Sequence, residues 1–220
     1  MNNPITRKTA IMVDGGFYRI RALELWGRKS PEERAKELYD YCHRHIDEPC
    51  EPRNLYRIFY YDCPPLKKKM KHPLTGVMID TTSLQGNVWA AGFQKALVNK
   101  RKVAMRMGEL ATEQAKYVLK PEVVNALVHK NRDVNSLVDD DYMIDSKQKG
   151  VDLRIGLDTA SLAYGRYVDQ IILIAGDSDF VPVAKMARRH GIDFLLDPLK
   201  NHVKPIFLEH IDGIESFAST

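Results

Sequence analysis

The chain of 220 residues is long enough for one domain with a sizeable core, and its 44% hydrophobic and 28% charged residues are those of an ordinary globular protein. A net charge of +4 does not by itself define a nucleic-acid binder, but it fits one. Three cysteines (Cys42, Cys50 and Cys63), a polar N-terminus and the lack of any apolar run near ~20 residues argue against a disulfide-stapled scaffold, a signal peptide and a membrane span, so a cytoplasmic protein is expected.

Thr9–Val13 is a short apolar run closed by Asp14-Gly15-Gly16, which predicts a buried strand of a parallel sheet. A helix is expected from Phe17 to Trp26. A second starts at Ser30, where Ser30, Pro31 and Glu33 form a capping box with proline at the first helical position, and runs to about His45. Asn54–Tyr61 is strand-like.

Residues 64–88 form a less ordered basic segment. Trp89–Asn99 predicts a helix and Lys102–Met107 a strand. Residues 112–131 are expected to be helical, with Pro121 breaking or restarting the run, and 133–148 to be an acidic loop. Asp152–Tyr164 reads as a helix, Gln170–Ala175 as a buried strand, Val181–His190 as a helix closed by Gly191, and Ile192–Leu196 as a strand; 199–217 is mixed. The alternation predicts an α/β domain with a mostly parallel sheet over 9–217, after a flexible N-terminus at 1–8.

In such a sheet the functional crevice lies beyond the carboxyl ends of the strands. Asp14 follows the first strand, and Asp177 and Asp179 follow a later one within Gly176-Asp177-Ser178-Asp179-Phe180. Lys149-Gly150-Val151-Asp152 opens a helix with a further aspartate, and Asp158 lies six residues on, on a different side of a regular helix. Carboxylates gathered in one crevice repel one another unless a cation neutralises them, and hard Mg²⁺ or Mn²⁺ prefers oxygen ligands. Taken singly, Asp179 reads as a helix cap, and Asp14 as a cap or a ligand with equal weight. No phosphate-binding P-loop and no dinucleotide fingerprint is present.

Val13-Asp14-Gly15, Arg57–Asp62, Lys149–Asp152 with Asp158, and Ile174–Phe180 together resemble the NYN domain, and within it the LabA-like (DUF88) branch. The resemblance runs from about residue 9 to 215. It implies a three-layer PIN-like (Rossmannoid) fold with helices flanking the sheet, and a metal-dependent ribonuclease site. By matching position, Asp14, Asp152, Asp177 and Asp179 form its acidic set, with Asp158 as the helix aspartate. The family's first motif has asparagine two residues after the first aspartate; Gly16 stands there in this chain.

As a nuclease, the chain is expected to hydrolyse RNA, single-stranded by preference, with Asp14 and Asp177 on the main ion and Asp152 and Asp179 serving a second ion or a water. Lys67, Lys68, Lys69 and Lys71 are the candidate RNA-binding run, weighed against a solvated loop. Ser178 reads as a phosphate contact or, by preference, a cap; Lys149 as a phosphate contact or a partner of Asp145. Cys42, His43, His45, Cys50 and Cys63 fit no standard zinc spacing. Asp139-Asp140-Asp141 reads as a solvated loop, with an acidic lid as the sharper alternative. Two rival functions stay open: a weakly catalytic RNA- or protein-binding module, which Gly16 favours, and a metal-dependent phosphatase or nucleotide-processing enzyme. A homodimer would extend the groove.

Overall fold

The computed structural model describes residues 6–48 and 51–218. Strand β1 (Arg7–Asp14) runs directly into α1 (Gly15–Trp26), followed by α2 (Pro31–Arg44) and β2 (Arg53–Asp62). A hairpin of β3 (Lys69–Lys71) and β4 (Met78–Asp80) precedes α3 (Gln85–Val98) and β5 (Val103–Met107). Then come β6 (Glu109–Leu110), β7 (Lys116–Leu119), α4 (Pro121–Val128), β8 (Tyr142–Asp145) and β9 (Gln148–Lys149). The last third holds α5 (Val151–Tyr164), β10 (Gln170–Ile174), α6 (Val181–Arg189), β11 (Asp193–Asp197), α7 (Pro205–Leu208) and β12 (Gly213–Ile214).

Six strands form one sheet in the order β12-β11-β10-β1-β2-β5, and every neighbouring pair is parallel. Side chains alternate between its faces. Ile11, Val13, Ile58, Tyr60, Ile172 and Ile174 pack with Tyr18 and Ala22 of α1, Leu38 and Cys42 of α2, and Phe93 and Leu97 of α3. Ala10, Met12, Phe59, Tyr61, Ile171 and Leu173 pack with Ile155 and Leu162 of α5 and Ala184 and Ala187 of α6. Both faces are covered, so the strands read as unbroken apolar runs, and each large side chain so buried contributes about 1.5–3 kcal/mol. This is the expected three-layer PIN-like architecture. No helix among the described residues is long and apolar enough to cross a membrane.

The local signals for α2 and α6 hold. Ser30 accepts from the Glu33 amide, and the Glu33 carboxylate accepts from the Ser30 amide at 2.9 Å, which closes the capping box. Gly191 takes φ +78° after α6. Other expectations need correction. Arg7 and Lys8, assigned to a flexible start, belong to β1, and residues 1–5 lie outside the described residues. Residues 112–119 are not α-helical. After one 3-10 turn, β7 pairs antiparallel with β8, setting Tyr117 opposite Ile144, and Pro121 heads α4, the restart expected of it. Aromatic and β-branched residues gain cross-strand partners there that an isolated helix turn would not supply.

The basic and acidic segments are also more structured than composition suggests. Leu66, Met70 and Ala115 form a small core of their own under the β3–β4 hairpin. Asp141 pairs with Arg132, and Asp140 with Lys120 at 3.2 Å, so the acidic run is tied into the fold and is not a free lid.

Candidate active site

The chain builds the sheet outward from β1 in two directions, first through β2 and β5, then through β10, β11 and β12. The junction of β1 and β10 is therefore the topological switch point, where loops diverge and leave a crevice. Asp14 closes β1 at this point. It is also the N-cap of α1, its Oδ1 accepting from the Phe17 amide at 3.2 Å, so both readings of Asp14 apply at once. Two glycines permit the close approach. A Cβ on Gly15 would stand 2.4 Å from the Tyr60 ring and 2.6 Å from the Tyr61 carbonyl oxygen. A Cβ on Gly176 would stand 2.3 Å from the Phe17 ring, so the exit of β10 lies against the first turn of α1.

Burial raises the Asp14 pKa to about 6, and the charges of Asp152 and Asp62 push the same way, against hydrogen bonds from the Phe17 and Gly16 amides. Asp152 lies in the first turn of α5, after Gly150 at φ +76°. Desolvation and the charges of Asp177 and Asp179 hold its carboxyl above the ordinary range. Among the described residues, Asp14 and Asp152 are the two carboxyl groups so raised. The structure thus brings Asp14, Asp152, Asp177 and Asp179 to one rim.

It reassigns their neighbours. Asp177, not Asp179, is the cap: its Oδ1 accepts from the Asp179 amide at 3.0 Å, because the chain makes a 3-10 turn there before α6. Ser178 does not cap; its Oγ accepts from Lys204 Nζ at 3.1 Å. Asp158 accepts from Tyr61 Oη at 2.9 Å and Arg106 Nε at 2.8 Å, on the helix face turned to the sheet, and so stands apart from the acidic set. Lys149 is exposed in β9 opposite Glu109, unpaired with Asp145.

Lys68 is withdrawn from the candidate RNA-binding run. Its ammonium donates to the carbonyls of Thr112, Glu113 and Ala115 at 2.8, 3.3 and 3.1 Å. Lys69 and Lys71 flank inward Met70 and are exposed, as is Lys67. Tyr60 and Tyr61 are fully buried and offer no stacking surface. Of the cysteine–histidine set, Cys42 is buried in the core, His45 is held by Asp197 and Glu215, and Cys50 lies outside the described residues.

Sequence reasoning passed over Asp62 and Arg19. Asp62 ends β2 beside Asp14, is fully buried, and accepts from Arg19 Nη2 at 3.1 Å, Tyr60 Oη at 3.1 Å and its neighbour's amide, Cys63 N, at 2.8 Å. The rule that found Asp14, an acid closing an apolar strand, also applies to Asp62. No local pattern marks Arg19, which becomes relevant only when α1 lies beside the end of β2.

Among the described residues, no group of three His, Cys, Asp or Glu side chains lies close enough to hold a metal ion. Asp152 lies within electrostatic range of Asp14, Asp177 and Asp179, but the four aspartates do not converge on a single point. Their chemistry nevertheless fits a hard divalent cation. They are oxygen donors under mutual repulsion, and none forms a salt bridge with a Lys, Arg or His among the described residues, whereas Asp62 and Asp158 are paired with Arg19 and Arg106.

A parallel α/β sheet with an acidic rim at its switch point defines a Rossmannoid domain. The NYN domain family matches residues 75–203, and the chain belongs to that family, within the PIN-like nuclease superfamily. Asp152, Asp158, Asp177 and Asp179 fall inside the matched stretch and Asp14 before it. A solved structure of a protein of unknown function from Vibrio parahaemolyticus aligns with 99% of this chain and 96% of its own, at 13% identity and a TM-score of 0.49. No curated protein sequence matches the chain.

Proposed function

We propose that this protein is a metal-dependent ribonuclease that hydrolyses phosphodiester bonds of single-stranded RNA. The observation that carries this reading is the pair of raised carboxyls, Asp14 and Asp152, at the switch point, neither of which forms an ion pair with a basic side chain among the described residues. Such pressure is relieved by a cation, and perturbed carboxyls cluster at functional sites. Asp14 and Asp152 would hold Mg²⁺ or Mn²⁺, with Asp177 and Asp179 on the facing wall.

A bound divalent ion supplies Lewis acidity to the phosphodiester and lowers the pKa of water. The protein's own part is to hold Asp14 fixed at the rim. The Phe17 amide holds its Oδ1 in place. Asp177 spends Oδ1 on the Asp179 amide, which leaves Oδ2 free. Asp152, Asp177 and Asp179 are exposed, so the rim is open to a polymer and not closed around a small molecule, which favours RNA over a free nucleotide. The motif set also favours the LabA-like branch.

The test is incubation of labelled single-stranded RNA, structured RNA and DNA with Mg²⁺, Mn²⁺ or EDTA, beside Asp177→Asn. Expected is cleavage of single-stranded RNA with metal, reduced about 100-fold in the variant. Equal cleavage by the variant, or cleavage in EDTA, overturns the reading. A binding module is the second reading, favoured by Gly16 and by the spread of the aspartates; RNA binding without cleavage would establish it.

A further inference from the structure

We infer that Arg19 and Lys204 are phosphate-gripping side chains standing on either side of the acidic rim, and that Asp62 is a positioning residue that aims Arg19. The inference rests on the proposed reading of the rim as the site of an RNA backbone.

The strand order sets the layout. Along the carboxyl edge, β2 with Asp62, β1 with Asp14 and β10 with the Asp177–Asp179 turn are consecutive neighbours, each about 4.8 Å from the next. Arg19 reaches the β2 end from α1, and Lys204 reaches the β10 end from the residue before α7. The aspartates therefore lie between two cations. A backbone laid across this edge would meet a cation, the acidic crevice and a second cation in turn.

Arg19 is built as a fixed donor. Its side chain is 26% exposed, while its partner Asp62 is 0% exposed. Only Nη2 bonds Asp62, so the rest of the guanidinium fork stays available for a phosphate. Asp62 is itself held by Tyr60 Oη and the Cys63 amide. Burying a carboxylate is costly, and the result here is one arginine immobilised at the edge of the crevice. Lys204 bonds Ser178 Oγ between the two rim aspartates, so its ammonium stands at the turn itself.

The experiment measures binding of a labelled single-stranded oligouridylate by the full chain, in EDTA and with Ca²⁺, across a salt series. Arg19→Met/Asp62→Asn removes the buried pair together, so no charge is left unpaired, and Lys204→Met removes the exposed cation. Each is expected to weaken binding and to reduce the slope of log affinity against log salt by about 0.7. Arg19→Lys still neutralises Asp62 but loses the fork, and is expected to bind about five- to tenfold more weakly. Wild-type affinity in Arg19→Lys with unchanged slopes in the other two shows a merely structural pair and overturns the inference, as does failure of the wild type to bind. Cleavage assays on the wild type stand apart: a chain that binds with these slopes but does not cut overturns the ribonuclease reading and leaves the phosphate grip in place.

Discussion

The Asp152 charge, in the first turn of α5, pushes up the pKa of Asp14 at the end of β1, so two acids distant in sequence share one electrostatic problem. Asp14 stands at about 6 in the fold against an ordinary 3.8. Between those values the folded protein holds more protons than the unfolded one. The contribution of this group is therefore most favourable below about pH 4 and is lost as pH rises through about 6. Asp14→Asn keeps a good cap and removes the charge, so it should stabilise the protein at pH 7 by about 2 kcal/mol after allowance for partial solvent screening. The gain should vanish at pH 4 in urea denaturation, and activity should disappear in the same variant. A destabilised variant at pH 7 would contradict the account.

Gly16 is the departure from the family pattern, and it is open to repair. A Cβ there would lie 3.4 Å from Asp14 Oδ1 and 4.0 Å from Gln148 Oε1, which is ordinary contact. Gly16→Asn should fold normally, gaining a few tenths of a kcal/mol in helix propensity, about 0.3. Its amide can donate to Asp14 and lower that carboxyl. RNA cleavage should then persist to lower pH than in the wild type; an unchanged pH profile would remove Gly16 from the account.

The glycines at the crevice should differ sharply from the one that ends α6. Gly15→Ala drives a methyl into the Tyr60 ring and the Tyr61 carbonyl, both immobile, and should cost about 3 kcal/mol or more. Gly191→Ala meets no atom within 4 Å and bears only the strain of φ +78°, about 1 kcal/mol. Chemical denaturation of the two variants reads the difference directly.

The lysine run should split by role. Lys68→Met removes three hydrogen bonds to carbonyls and should lower stability by about 1–3 kcal/mol. Lys69→Met with Lys71→Met should leave the melting temperature unchanged and weaken RNA binding. The reverse pattern would return Lys68 to the RNA-binding surface.

His45 supplies a second pH signature, away from the rim. Burial disfavours its charged form, but hydrogen bonds to Asp197 and Glu215, each at 2.9 Å, outweigh it and raise the pKa above the ordinary 6.5. Its stabilising contribution is therefore complete below about 6.5 and fades as pH rises through the raised folded value. His45→Gln should be more destabilising at pH 6 than at pH 9. Equal loss at both values would mean that His45 is neutral in the fold.

The central strands, the capping box of α2 and the Gly191 stop were legible because each rests on residues within one turn or one strand of each other. Residues 112–119 were misread because the strand Lys116–Leu119 exists only by pairing with Tyr142–Asp145, which no local window contains. The same limit explains Asp179: the residue type pointed to a cap, but the backbone turned two residues earlier and gave that role to Asp177.

The sequence by itself determined that aspartates follow β1 and β10 and open α5, because acids that close apolar strands are a chain-local pattern. Only the tertiary structure decided which of them press on one another. Coulombic pressure depends on distance and burial, and these are set by the order in which strands pair. That order brought Asp14, Asp152, Asp177 and Asp179 to one rim, turned Asp158 to Arg106 and Tyr61, and placed the buried Asp62 where it holds Arg19.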